Sequence, residues 1–515
     1  MSIVIDLRLQ RPRRTRESLK FSNGGHVMSK LPSLTPLAAC LATALALASP
    51  FGVAANRTVT NCMDSGTGSL RSAIVGASSG DTVVFDTVTM NCSTITLTSG
   101  QISIPVVQVT LQGPTASTLT IGGFHASRVF EHVGAVDPAR KLTINNLTIA
   151  NGAVAIAASP GARGGCIAST GDVTLFASTV TGCVSNNSLG PAYGGGVSAN
   201  TLHMQNSTIS NNQVNAGAGY SAVGGGVFVQ DTADVSFSTI SGNSALATTG
   251  SGFGGGLFSF YSGNVQIISS TISGNHATVG GGMALQYGPS SRTLTIDHST
   301  ISGNLADQAF GGLEIYDSSS TPNITANIVD STISGNHSSG VVGGMFNSAT
   351  LTLSNSTIAF NTADSGVYNV NYSAAAGLFT QAATLRNSII ANNTITGGAQ
   401  SDLSAPTGSS PMLGSNNLIV ATLGGTTAPP GTLTTDPMLG SLVNNGGPTL
   451  THALLVNSPA IDAGCTINLP PTDQRGDGYP RVWGPAVDIG AFEYGDPIAG
   501  DVIFVSGFDA PSCGP

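Results

Sequence analysis

The segment Ser-Thr-Ile-Ser-Gly-Asn occurs four times in this chain, beginning at Ser238, Ser270, Ser299 and Ser331. Degenerate copies extend the series: STVTGC at Ser178, STISNN at Ser207, STIAFN at Ser356 and SIIANN at Ser388, with LTIANG at Leu147 as a worn first member. Glycine runs keep the same beat, ending at Gly196, Gly226, Gly256, Gly282, Gly312 and Gly344, with related forms closing on Cys166 and Gly377. A fixed period of about thirty residues means a solenoid, propeller or array, in which each unit buries its apolar face only against its neighbours.

Within a unit the apolar residues alternate, as at Leu351 and Leu353, and the phase slips by one before Ile358. Period two means strand, and the slip means a bend between two strands. The unit holds three short strands: after the glycines, before the serine, and through STIS. With no helical stripe between them, the chain is expected to be all-β, a right-handed parallel β-helix whose equivalent residues stack at about 4.8 Å. One interior column then runs Val180, Ile209, Ile240, Ile272, Ile301, Ile333, Ile358, Ile390. A second runs Ile167, Val197, Val227, Leu257, Met283, Leu313, Met345, Leu378.

Asn212, Asn243, Asn275, Asn304, Asn336, Asn361 and Asn393 recur at one turn. Asparagine tolerates left-handed backbone, and its amide can bond to the same amide one coil away, so these residues are expected to form a structural ladder. The glycine runs permit the next tight corner; no helix follows them, so they are no phosphate loop.

Only 8% of the 515 residues are charged and 40% are hydrophobic, the net charge is −9, and lysine is nearly absent. Such a chain is neither disordered nor equipped for nucleic acid. From Met28 the segment MSKLPSLTPLAACLATALALASPFGVAAN reads as a secretory signal over 28–55, with residues 1–27 as an upstream leader or mis-assigned start. Its apolar run is too short for a membrane span, and Cys40 lies inside that run rather than at its end, as an ordinary signal core would have it. Six cysteines remain, and their order suggests that neighbours pair: Cys62 with Cys92, Cys166 with Cys183, Cys465 with Cys513. Cys166 takes a glycine slot and Cys183 a ladder slot of one early coil.

Three stretches resemble one family of bacterial exported proteins. TVTNCMDSGTGSLRSAIVGASSGDTVVFD (58–86) is similar to its N-terminal segment, the NSTISGN coils to its β-helix repeats, and DPMLGSLVNNGGPTLTHALLVNSPAIDAG with TDQRGDGYPRVWGPAVDIGAFEY (to Tyr494) to the choice-of-anchor Q domain. The resemblance implies a short helix in GSLRSAI capping the first coil. It also implies a secreted or surface protein whose C-terminal region precedes an anchoring tail, with no activity assigned for most members. The tail 496–515 lacks the apolar span and basic cluster of a membrane-spanning sorting signal and is too short for an autotransporter barrel. The expected organisation is a cap and first coils over 56–139, repeats over 140–395, and a small C-terminal region over 396–495.

Chemistry is sparser. Hydrolysis of a glycosidic bond needs two carboxyls a few ångströms apart, and lyase action needs a base plus positive charge or a metal. The best acidic constellation is Asp297, Glu314, Asp317 and Asp330, with Asp330 in the slot of His298 one coil on; these are expected to be solvated carboxylates on exposed strands. The bases of the coils, Arg140, Lys141, Arg163, Arg292 and Arg386, look scattered. Phe228, Phe258, Phe346 and Phe379 share a column with Glu314, an apolar strip for sugar rings or a protein partner if open, a packed seam if a loop covers it. Asp473, Arg475 and Asp477 suggest a buried salt bridge, since the alternating oxygens of a calcium loop are missing. The sequence therefore predicts an exported protein, in adhesion or glycan contact and without catalysis, cofactor or metal. A polysaccharide lyase or hydrolase and a structural surface-layer component are the alternatives.

Overall fold

The computed structural model describes residues 54–495 apart from 116–118, 136, 138, 158–160, 261–262, 287–290, 318–321, 366, 370–371, 374, 407 and 410. The expected leader, nearly all of the signal segment, and the tail with Cys513 lie outside the described residues. From Asn56 to Leu423 the chain is a right-handed parallel β-helix, with almost no helix among the described residues.

Its coils lay down parallel sheets of twelve and thirteen strands. One coil shows the order: Val197–Ala199 in the third sheet, Thr201–Gln205 in the first, Thr208–Ser210 in the second. Both interior columns are as expected. Val180 pairs in register with Ile209, Ile209 with Ile240 and Ile240 with Ile272, and every member of either column is at most 1% exposed. Burying a side chain of this size contributes roughly 1.5–3 kcal/mol, repeated at each rung.

A fourth sheet was not legible. In four coils between residues 153 and 253 the corner is followed by an arm, such as Gln213–Ala216, that returns as a two-residue strand, Ala222–Val223, and from His276 on a single strand takes the place of both. The arms pack through Ala192, Val214, Ala216, Ala222, Ala245 and Ala277. Alanine is a poor strand former, and two residues are too few to display an alternation.

The asparagine ladder is continuous and buried. From Asn212 to Asn361 each side-chain amide donates to the Oδ1 of the next asparagine at 2.8–3.0 Å, which also accepts the backbone N–H of the donor's own residue. Asn393 ends the ladder on Asp402 Oδ1 at 2.9 Å. The left-handed backbone, however, belongs to the residue before it, Gly242 (φ +64), Gly274 (+62) or Asn211 (+55), and not to the ladder asparagine. The corner turns on the first residue so that the second can point inward. A second ladder runs beside it, the N–H of Ser207, Ser238, Ser270 and Ser299 each donating to the next serine Oγ at 3.0–3.1 Å.

The glycine beat follows from the ladder. A Cβ on Gly196 would sit 2.9 Å from Gly226 O and 3.0 Å from Asn212 Cγ. One coil earlier the same two slots hold Cys166 and Cys183, which form a disulfide across 5.5 Å between Cα atoms. Cys62 and Cys92 form another, across 6.5 Å. The expected cap helix is Leu70–Val75, with Ser69 Oγ accepting from Ser72 N and with Leu70 and Ile74 buried.

Solenoid strands continue beyond residue 395, at Leu403–Ser404, Leu413–Ser415, Leu418–Ile419 and Thr422–Leu423. The chain then turns back, pairs Leu439–Val443 with Thr451–Leu454 antiparallel, and lies on the outer face of the second sheet. Leu454, Ala460, Ile489 and Phe492 share a core with Ile389, Ala391 and Leu418.

Candidate binding groove

The outward column of the third sheet decides what the molecule can offer a ligand. In register it reads Ser103, Glu131, Ala168, Ser198, Phe228, Phe258, Ala284, Glu314, Phe346, Phe379. The four phenylalanines are 2–4% exposed, so they form a packed seam and no sugar platform. The returning arms close it: Tyr193 lies 5.0 Å from Phe228, Phe253 6.4 Å from Phe258, and Phe310 4.3 Å from Phe346.

In the early coils the column carries no aromatic ring, and a groove of about 380 Å³ opens between the sheet and the arms. Arg128, Glu131, Arg163, Ser169, Thr170 and Gln230 supply its polar lining, Val154 and Ile156 part of the apolar wall. Arg128 bonds Glu131 Oε1 and Gln101 Oε1, both at 2.7 Å, and donates to the carbonyls of Gly164 and Arg163. Burial draws its pKa below the ordinary value against the pull of Glu131. The Arg163 guanidinium lies 4.5 Å over the Tyr193 ring and 5.5 Å over Phe228, a cation–π seat at the end of the seam. His132 is sealed, held by Val106 O at 2.9 Å and Ser169 Oγ at 3.3 Å, and burial lowers its pKa.

Of Arg140, Lys141, Arg163, Arg292 and Arg386, Arg163 is the one that lines this groove, where it meets Arg128 from the coil before. Arg128 NH2 donates to Arg163 O, 35 residues and one coil away. A separation near the repeat period was the available signal.

The four candidate carboxylates do not converge on this groove. Glu314 is wholly buried in the phenylalanine column, 3.2 Å from Gln286 Nε2, and burial pushes its pKa up to about 7. Asp317 is buried and accepts the N–H groups of Asn323 and Ile324. Asp330 is fully buried, 3.8 Å from Arg481 NH1, and burial again pushes its pKa up to about 7. Asp297 is part-exposed, its Oδ1 2.6 Å from His298 Nδ1. Solvated surface carboxylates are thus the wrong description for three of the four, because arms and the C-terminal region cover them. Asp473 and Arg475 do form a buried pair at 2.7 Å.

No family model matches the chain, and no curated protein does. Among solved structures, pectate lyase Pel9A aligns over 86% of this chain and 98% of its own, with a TM-score of 0.41 and 14% identity.

Proposed function

We propose that this chain is an exported β-helix protein that contacts acidic glycans outside the cell and does not cleave them. The observation that carries this reading is the groove lined by Arg128, Glu131 and Arg163. The Arg163 guanidinium suits a carboxylate, while Arg128, engaged by Glu131, Gln101 and two backbone carbonyls, adds positive charge to the groove floor, and the neighbouring hydroxyls can meet sugar hydroxyls. The groove's volume falls within the ordinary range of small-molecule sites. Two disulfides favour an oxidising compartment, in keeping with the signal-like segment. Hydrolysis needs two approachable carboxyls, whereas Glu314, Asp317 and Asp330 are covered and engaged elsewhere.

The test is titration with uronate oligomers and with neutral oligomers of equal length, while following new reducing ends and unsaturated-uronate absorbance. Binding should be confined to the acidic series, weaken with salt, and fall about tenfold in Arg163→Gln, about 1.4 kcal/mol. Equal affinity for neutral oligomers, or shortening of any polymer, would contradict the proposal.

A further inference from the structure

We propose that Asp297, His298 and Asp330 form a site for one first-row divalent cation, zinc foremost, at the seam between the coils and the C-terminal region. His298 and Asp330 occupy successive rungs of the left-handed corner before the serine ladder, at φ +49 and +41. Asparagine fills this corner at Asn206, Asn355 and Asn387. Asp297 ends the adjoining strand Arg292–Asp297. One ligand atom from each of the three lies within 4.8 Å of the others. Donors around a tetrahedral ion with bonds of about 2 Å lie roughly 3.3 Å apart, so the three groups need draw together by about 1.5 Å at most to hold one.

The independent observation is the state of Asp330. Its side chain is sealed from solvent, and neither carboxylate oxygen has a hydrogen-bond partner. Arg481 NH1 stops 3.8 Å away and, with Nε of the same residue, also lacks one. A buried carboxylate without donors is costly, and a cation shared with Asp297 and His298 supplies the missing partner. Asp473, the next carboxylate, is committed to Arg475 at 2.7 Å. The His298 ring is oriented from the far side: Nε2 meets Thr472 Oγ1 at 3.2 Å. With Nε2–H donating there, the Nδ1 lone pair faces the carboxylates, as outer partners of metal-bound histidines arrange. One imidazole and two carboxylates suit zinc and its first-row neighbours better than calcium, which takes six to eight oxygens. Thr472 and Arg481 belong to the C-terminal region, which closes over the site.

The experiment is calorimetric titration of chelator-treated full chain with zinc, and separately with calcium and magnesium, in the parent, His298→Asn and Asp330→Asn. Asparagine is chosen because the corner accepts it on other rungs. His276→Asn removes a surface histidine paired to Asp307 and serves as the control for adventitious binding. The parent should bind zinc with higher affinity than calcium or magnesium. Each site variant should lose at least about tenfold in zinc affinity, and zinc should raise the melting temperature of the parent and of His276→Asn only. Should either site variant fail to fold, Asp297→Asn, at a part-exposed position, gives the same comparison. No zinc binding by the parent, zinc binding undiminished in the site variants, or a preference for calcium would overturn the proposal.

Discussion

The hexapeptide at Ser238 and the identical hexapeptide at Ser331 fold alike and live in different surroundings. Inside the solenoid they are interchangeable. Ile240 and Ile333 are buried, Asn243 and Asn336 are ladder members, and Gly242 and Gly335 share a φ of +64. Outside they diverge: Thr239 and Ser241 are half-exposed, whereas Thr332 and Ser334 are buried beneath the C-terminal region. Thr332 Oγ1 donates to Gln474 Oε1 at 2.6 Å, and Ser334 Oγ meets His452 Nε2 at 2.7 Å. The repeat encodes its inward face locally, while its outward face is decided by residues far along the chain.

Truncating the inward side should have the largest effect and should not distinguish the two copies. Ile240→Ala and Ile333→Ala are each expected to cost about 3–4 kcal/mol in denaturant unfolding. A markedly larger loss at Ile333 would mean that the cover also tightens the interior.

Glu314 extends the comparison to a residue sealed by an arm instead of by the C-terminal region. Its folded-state pKa of about 7 lies above the ordinary 4.5, so the folded chain holds more protons between those values. The parent's stability therefore falls as pH rises through that window. Glu314→Gln should stabilise the protein by about 3 kcal/mol above pH 7 and by little below pH ~4.5, at 1.36 kcal/mol per unit. Melting curves at both pH values check it; a destabilised variant at high pH would show that the carboxylate is needed.

The outward hydroxyls give the smallest effect and separate the copies. Thr332→Val should cost about 1–2 kcal/mol, because it leaves Gln474 short of a buried partner, while Thr239→Val should stay within about 0.5 kcal/mol. Equal costs would erase the distinction between covered and open coils.

These contrasts also mark what the sequence makes readable. The isoleucine and asparagine columns were legible because a fixed period and strict alternation leave one way to stack them. The arms were not, since alanine pairs such as Ala192 and Ala222 carry no strand signature. The phenylalanine column could be placed but not its cover, which depends on Tyr193, Phe253 and Phe310 from those unseen arms. Arg128 did not stand out in the sequence, because its contact with Arg163 depends on coil registry. Asp330 could be paired with His298 from the repeat alone, yet its burial depends on Arg481, which belongs to no repeat.

The C-terminal region covers one half of the second sheet's outer face and leaves the other open. Thiol labelling of Thr239→Cys and Thr332→Cys, followed peptide by peptide in the native protein, tests it directly. Modification should be rapid at position 239 and, at position 332, only as fast as the cover opens, slower by about a hundredfold or more, equivalent to about 2.7 kcal/mol of protection. Equal rapid labelling at both positions would contradict it.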